Sequence, residues 1–129
     1  MKNQTCSKYI LAIDPGNIQS AYCLIDTSDL KPLEKRKVEN EYLLDSLRSI
    51  DEKYLKNVCI EMIGHYGTGM PAGKSVFDTC VWIGRFTEAV HDRVGILPTY
   101  IMRSEENCGS KLFVDFLNKF TQCFFRNRV

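Results

Sequence analysis

The stretch that decides the fold is residues 8–26, KYILAIDPGNIQSAYCLID. Two apolar, β-rich runs, residues 8–13 and 20–26, flank a segment that opens with Asp-Pro-Gly. Runs of this composition on either side of a turn signal are typical of a β-hairpin. The pattern therefore places Asp14 at the end of the first strand, where a tight turn exposes its carboxylate.

The apolar pattern continues along the rest of the chain. Helical spacing predicts helices, and short apolar runs between turn signals predict strands. The predicted helices cover residues 40–56, 75–93 and 111–120, the predicted strands cover residues 57–63 and 99–102, and a third short strand falls within residues 27–37. This order predicts an α/β protein in which helices pack on a mixed sheet, as a single domain over residues 1–129.

The composition limits the class of protein. Apolar residues make up 44% of the chain and charged residues 26%, as in soluble globular proteins. The longest apolar runs are far below the ~20 residues that cross a bilayer. The six cysteines occur singly, without zinc-ligand spacing, and the first residues lack a secretory cleavage site. We expect a cytoplasmic protein with reduced, mostly buried cysteines and no membrane partner.

Glu61 is unusual because it interrupts the apolar strand predicted over residues 57–63. An ionised carboxylate is costly to bury unless a cation or a hydrogen-bond donor compensates it. Together with Asp14 on a neighbouring strand, it would form a site for a hard cation such as Mg²⁺. The alternative is that Asp14 only caps a turn and that Glu61 pairs with Lys74, Arg85 or a buried backbone donor.

Several segments resemble RuvC-type Holliday junction resolvases. Residues 13–26, IDPGNIQSAYCLID, resemble the first hairpin of that family, where Ile-Asp-Pro-Gly carries the first catalytic aspartate. Residues 57–63, NVCIEMI, match the later strand that carries a catalytic glutamate. Residues 67–86 and 98–110 are similar to the following helix and strand of phage-type members. The resemblance covers residues 8–110 and implies an RNase H-like, RuvC-type fold.

The resemblance also implies a function. It indicates a metal-dependent endonuclease that cuts Holliday junctions or other branched DNA by phosphodiester hydrolysis, as a homodimer. Two Mg²⁺ or Mn²⁺ ions would be bound by carboxylates, with Asp14 bridging both ions and Glu61 binding one. Asp115 is the candidate for the third acid, on the last predicted helix. A solvated polar position on an amphipathic helix is the alternative for Asp115.

Four side chains are candidates for DNA contacts under this interpretation. Lys74 lies between the glycine-rich segment and the second predicted helix, where it could contact a DNA phosphate. His65 and Tyr66 could stack on a base or contact the nucleic-acid backbone, and exposure in a loop is their alternative. Arg85 is the fourth candidate, on the second predicted helix.

The end of the sequence departs from the family pattern and leaves other functions open. Apart from Asp115, residues 111–129 lack the acids that the family leads us to expect, so this part would be divergent or truncated and the metal site incomplete. A catalytically degenerate RuvC-like protein that binds DNA or a partner is therefore a second hypothesis. An actin-like phosphotransferase or ATPase is a third, although that class usually needs two such domains.

Overall fold

A five-stranded sheet and two helices form the regular structure of residues 9–63 and 73–102, the parts of the chain that the computed structural model describes. The strands are β1 (Tyr9–Asp14), β2 (Gln19–Asp26), β3 (Pro32–Glu39), β4 (Leu55–Met62) and β5 (Thr99–Met102). The helices are α1 (Asn40–Ser49) and α2 (Lys74–Val94), and a short 3-10 helix, Glu52–Tyr54, precedes β4.

The sheet is mixed, with the strand order β3-β2-β1-β4-β5. The first three strands form an antiparallel meander, in which β2 pairs with both β1 and β3. On the other side of β1, β4 runs parallel to β1 and β5 runs parallel to β4. The predicted α/β class, with helices packed on a mixed sheet, is confirmed.

Both helices pack on one face of the sheet, which we call the helix face. In β1 and β4, the core side chains on this face are Leu11, Ile13, Val58 and Ile60. The helices contribute a leucine-rich stripe from α1 and a longer apolar stripe from α2, namely Leu43, Leu44, Leu47, Ile83, Phe86, Ala89 and Val90. Burial of this continuous apolar surface is the main force that holds the helices to the sheet.

The opposite face of the sheet, which we call the second face, carries the alternate residues of each strand. Ala12 of β1 pairs with Cys23 of β2 and with Cys59 of β4. Ala12, Cys23 and Ile25 form a second apolar cluster, and Cys59 beside them is also buried. The two faces therefore divide the apolar residues of the chain into a large and a small core.

The aromatic pair on α2 belongs to the core. The rings of Trp82 and Phe86 lie 5.7 Å apart between centroids and are tilted by 36°. Phe86 is fully buried, and the partly buried Trp82 packs against the same cluster. The interpretation of these residues as packing residues rather than a base-stacking platform is consistent with this geometry.

The first predicted helix is too long at its C-terminal end. α1 ends at Ser49, and Ile50 already has an extended backbone with ψ of 142°. The Asp51 carboxylate then accepts a hydrogen bond from the backbone N–H of Lys53, which starts the 3-10 helix. Leu55 has helical spacing in the sequence but belongs to β4, because pairing with β1 outweighs local periodicity.

The other predicted elements agree more closely with the structure. The third strand is β3, which begins inside the segment predicted to contain it and extends two residues beyond that segment, while α2 and β5 match their predictions within one residue. α2 stops at Gly95, which adopts a left-handed conformation with φ of 79° and donates its N–H to the carbonyl of His91. The helix predicted over residues 111–120 lies outside the described residues.

Among the described cysteines, Cys23 and Cys59 are buried, Cys80 is exposed, and none of the three forms a disulfide. This distribution agrees with the expectation of reduced, mostly buried cysteines. Neither α1 nor α2 combines the length and the apolar character that a membrane-spanning helix requires.

Candidate metal centre

Asp14 and Glu61 lie at the same level of two adjacent parallel strands. Ile13 of β1 pairs with Ile60 of β4, and the two acids are the next residue on each strand. Because side chains alternate between the faces, both carboxylates lie on the second face. Parallel strands also end at the same edge of a sheet, where α/β proteins bind their ligands. The structure thus brings together the two acids that the sequence singled out.

The surroundings of Asp14 and of Glu61 differ from each other. Both acids are partly buried. Within residues 9–63 and 73–102, no side chain or backbone group forms a hydrogen bond or an ion pair with the Asp14 carboxylate. Glu61 does have an interaction partner. Of its proposed partners, Lys74 forms a salt bridge with Asp78 and Arg85 forms one with Glu41.

A buried polar ring holds the turn that follows Asp14. The backbone N–H of Gly16 donates to Ser20 Oγ at 3.1 Å, and Ser20 Oγ donates to Asn40 Oδ1 at 2.5 Å. Asn40 Nδ2 then donates back to the carbonyl of Gly16 at 2.9 Å. Ser20 and Asn40 are each only 1% exposed. The ring therefore fixes the backbone after Asp14 against both β2 and α1.

Gly16 is required at its position by lack of space. A Cβ atom at this residue would lie 2.2 Å from the carbonyl oxygen of Gln19, a backbone atom that cannot move without opening the hairpin. Sequence reasoning treated Gly16 as a turn residue and overlooked Ser20 and Asn40. Two signals were available: a hydroxyl inside the apolar alternation of β2, and an asparagine at the start of a helix.

The predicted phosphate contact Lys74 is the first residue of α2. Its ammonium group lies 2.6 Å from the Asp78 carboxylate, one helical turn further on, and its side chain is 89% exposed. An exposed pair of this kind contributes little to stability. Lys74 therefore belongs to the helix layer and already has an acidic partner there.

Arg85 is also engaged within the helix layer. Its guanidinium group lies 4.2 Å from the centroid of the Trp82 ring and 3.4 Å from a carboxylate oxygen of Glu41 on α1. α2 packs on the helix face, so Arg85 lies in the helix layer, whereas the two acids lie on the second face. Its physical role is to join α1 and α2. His65, Tyr66 and Asp115 lie outside the described residues.

The two acids suit a hard divalent cation. No group of three or more His, Cys, Asp or Glu side chains in the described parts of the chain could hold a metal ion. Carboxylate oxygens are the ligands that Mg²⁺ and Mn²⁺ prefer, and Mg²⁺ is commonly held by one or two carboxylates together with waters and substrate phosphates. Burial raises the pKa of the nearby Cys59 thiol to about 12.

Comparison with known proteins gives a partial likeness at the level of the fold. No family model matches the chain, and no curated protein matches it. An Aquifex aeolicus PPX-GPPA enzyme is 15% identical with a TM-score of 0.43, over 87% of this chain and 42% of the enzyme. The type II variant of the Ppx/GppA phosphatase from the same organism is 14% identical with a TM-score of 0.42, over 77% and 37%.

A third Aquifex aeolicus structure, described as a member of the Ppx/GppA protein family, is 16% identical with a TM-score of 0.42, over 87% of this chain and 40% of that protein. The chain thus spans less than half the length of each of these three structures. At this level of identity the likeness concerns the sheet and its helices, and we transfer no activity from it.

These structures correct the function expected from the RuvC resemblance. They are Ppx/GppA proteins and not junction resolvases. The prediction of a branched-DNA endonuclease, or of a degenerate RuvC-like binding protein, is therefore wrong, and branched DNA as a partner has no support. A hairpin with an acid at its end and a later acid-bearing strand describes a sheet that different chemistries share. The α/β class stands without the RuvC assignment, and the homodimer stays a prediction.

Proposed function

We propose that the chain binds Mg²⁺ or Mn²⁺ through Asp14 and Glu61 and takes part in the hydrolysis of a phosphate compound. The observation that supports this proposal is the register of β1 and β4, which sets the two acids side by side on one face of the sheet. Phosphate chemistry is the common use of such a site, because a cation held by only two carboxylates keeps positions for water and for phosphate oxygens.

A divalent cation in this position would polarise a phosphoryl oxygen and lower the pKa of a bound water molecule. The protein's part is to hold the two carboxylates in place. Hydrogen bonds among Gly16, Ser20 and Asn40 hold the turn that follows Asp14 in place. Glu61 lies in β4 between β1 and β5, level with Ile101. Neither acid can move far without breaking strand pairing, as a preorganised site requires.

Cation binding is the first test of this proposal. Mn²⁺ would be titrated into the protein and into Asp14→Asn and Glu61→Gln, with binding followed by calorimetry and by electron paramagnetic resonance. We expect each substitution to lower the affinity at least about tenfold, which corresponds to ~1.4 kcal/mol. Asp45→Asn and Glu88→Gln are matched controls, because both acids are exposed on the helices. Equal affinity for all five proteins would contradict the proposal.

Hydrolysis is the second test. Release of phosphate from p-nitrophenyl phosphate and from pyrophosphate would be measured with Mg²⁺, with Mn²⁺ and with excess chelator. We expect activity that needs the cation and that both Asp14→Asn and Glu61→Gln abolish, while Asp45→Asn and Glu88→Gln retain it. Activity that survives in the chelator would show that the two acids are not a metal site for this reaction.

A further inference from the structure

The two acids differ in how strand pairing holds their backbone. Glu61 lies in β4 between two strands and pairs with Ile101 of β5. Asp14 is the last residue of β1 and pairs with Ala21 of β2, but the pairing of β1 with β4 ends one residue earlier, at Ile13. The distance between the two carboxylates therefore depends on what supports the chain just after Asp14.

The ring of Gly16, Ser20 and Asn40 supplies this support. Its three hydrogen bonds join the turn after Asp14 to β2 and to α1. The backbone N–H of Asn40 also donates to the carbonyl of Ile18 at 2.9 Å, so the turn is held at two residues. Because Ser20 and Asn40 are buried, a substitution that breaks the ring leaves polar groups without partners.

The ring supports the turn from the side of the sheet opposite to the acids. Ala21 pairs with Asp14 and shares the second face with it, so Ser20, the preceding residue of β2, projects from the helix face. Asn40 begins α1, which packs on the helix face. The Ser20 hydroxyl and the Asn40 amide are bonded within the ring and carry no charge. Ser20 and Asn40 are therefore positioning residues for Asp14 and not cation ligands.

The rigidity of carboxylate ligands decides which divalent cation a site prefers. Mg²⁺ requires near-ideal octahedral geometry with ligands at about 2.0–2.1 Å, whereas Ca²⁺ accepts ligands at about 2.3–2.6 Å in variable geometry. A site whose ligands are held firmly can therefore favour Mg²⁺, and the same ligands on a looser backbone adapt to Ca²⁺. Residues that orient metal ligands without contacting the metal commonly change metal affinity by about 10–100-fold.

We infer that Ser20 and Asn40 determine the cation specificity of the site, because they hold Asp14 at a distance from Glu61 that favours Mg²⁺ over Ca²⁺. This inference rests on the proposed function and names the residues that set its choice of cation. When the ring is broken, the turn after Asp14 gains freedom and the separation of the two carboxylates varies. The affinity for Mg²⁺ then falls, while Ca²⁺ tolerates the change.

Competition against Mn²⁺ tests the inference. Bound Mn²⁺ would be followed by electron paramagnetic resonance while Mg²⁺ or Ca²⁺ displaces it, which gives an affinity for each cation. The proteins compared are the parent, Ser20→Ala, Asn40→Ala and the control Asn57→Ala. Asn57 lies on β4, like Glu61, and its side chain donates to Thr99 Oγ1 at 3.1 Å, outside the ring. The three substitutions leave the net charge unchanged, so a change in affinity does not come from added or lost charge.

We expect Ser20→Ala and Asn40→Ala each to bind Mg²⁺ about tenfold more weakly than the parent. The affinity for Ca²⁺ should change by less than about threefold, so the ratio of the two affinities shifts towards Ca²⁺. Asn57→Ala should keep both affinities within about twofold of the parent. The two ring variants break the ring at different points, so Ser20→Ala alone decides the outcome if circular dichroism shows that Asn40→Ala is unfolded.

The two proposals fail in different ways. If Asp14→Asn and Glu61→Gln weaken Mn²⁺ binding but the ring variants keep the parent's ratio of Mg²⁺ to Ca²⁺ affinity, this inference is wrong and the metal site stands. Equal losses for Mg²⁺ and Ca²⁺ in the ring variants also overturn the inference, because the ring would then support only the folded state. If the parent binds no Mn²⁺, the proposed function fails and this inference fails with it.

Discussion

Asn40 donates a hydrogen bond from Nδ2 to the carbonyl oxygen of Gly16 at 2.9 Å, which ties the first residue of α1 to the turn behind Asp14. The backbone N–H of Asn40 also donates to the carbonyl of Ile18 at 2.9 Å. Asn40 thus holds the hairpin turn at two points. The position of Asp14 depends on a residue far from it in the sequence.

Asn40→Ala should destabilise the protein by about 1–3 kcal/mol, because it removes the partner of the Gly16 carbonyl and of the Ser20 hydroxyl in a buried place. Urea unfolding would measure the change. Gln19→Ala is the control: it removes an exposed 2.7 Å hydrogen bond to Glu39 and should change the free energy of unfolding by less than about 0.5 kcal/mol. Similar small changes in both variants would show that the ring contributes no stability.

Gly16→Ala and Gly84→Ala should have opposite effects on stability. At Gly16 the new Cβ would meet the Gln19 carbonyl oxygen, and the turn would have to open. At Gly84, in the middle of α2, nothing lies within 4 Å of a Cβ, and alanine favours the helix by about 0.5–1 kcal/mol. Thermal unfolding of both variants checks the signs, and a stabilised Gly16→Ala protein would contradict the described turn.

Phe86→Ala and Phe77→Ala test which side of α2 faces the core. Phe86 is fully buried, and its loss should cost about 3–5 kcal/mol. Phe77 lies on the same helix but is 62% exposed, so its replacement should cost less than about 0.5 kcal/mol. Urea denaturation of the two variants, side by side, gives the comparison. A large cost at Phe77 would mean that its ring packs against another surface in solution.

Tyr22 should make stability depend on pH in the alkaline range. Burial, with a further contribution from the hydrogen bond that its hydroxyl donates to Glu34 at 2.8 Å, raises the pKa of Tyr22 above its usual 10.0. Above pH 10 the unfolded chain therefore loses this proton before the folded chain does. The stabilising effect is complete below pH 10 and declines as the pH rises through the folded pKa.

Tyr22→Phe lacks this ionisation and serves as the reference. The free energy of unfolding of the parent, minus that of Tyr22→Phe, should be constant below pH 10 and fall above it. Guanidinium unfolding at several pH values on both sides of pH 10 would measure the difference. A difference that stays constant across the range would show that Tyr22 has the same pKa in both states.

The neighbourhood of Asp14 and Glu61 could be predicted because it follows from strand patterns alone. Each acid directly follows a short apolar run, and a helix is predicted between the two runs. Strands that are connected through a helix commonly pair in parallel. The ring of Ser20 and Asn40 could not be predicted in the same way. Its residues lie on different elements, and their hydrogen bonds depend on the angle between β3 and α1. The periodicity of the sequence does not predict that angle.

The layer in which a charged side chain lies could not be predicted from the sequence. Lys74 and Arg85 were candidates for DNA contacts, but a sequence does not show which layer a helix joins. In the structure, Arg85 binds Glu41 and the Trp82 ring, both in the helix layer.

The strand pairings that position the two acids join segments at very different separations in the sequence. Asp14 is positioned by a hairpin whose two strands are neighbours in the sequence. Glu61 is positioned by the pairing of β4 with β1, and β2, β3 and α1 lie between these two strands in the sequence. Contacts between distant segments carry the larger loop-closure cost and form slowly. Pairing of the two carboxylates is thus a mark of completed folding, and a cation bound between them would stabilise the native chain against its partly folded forms.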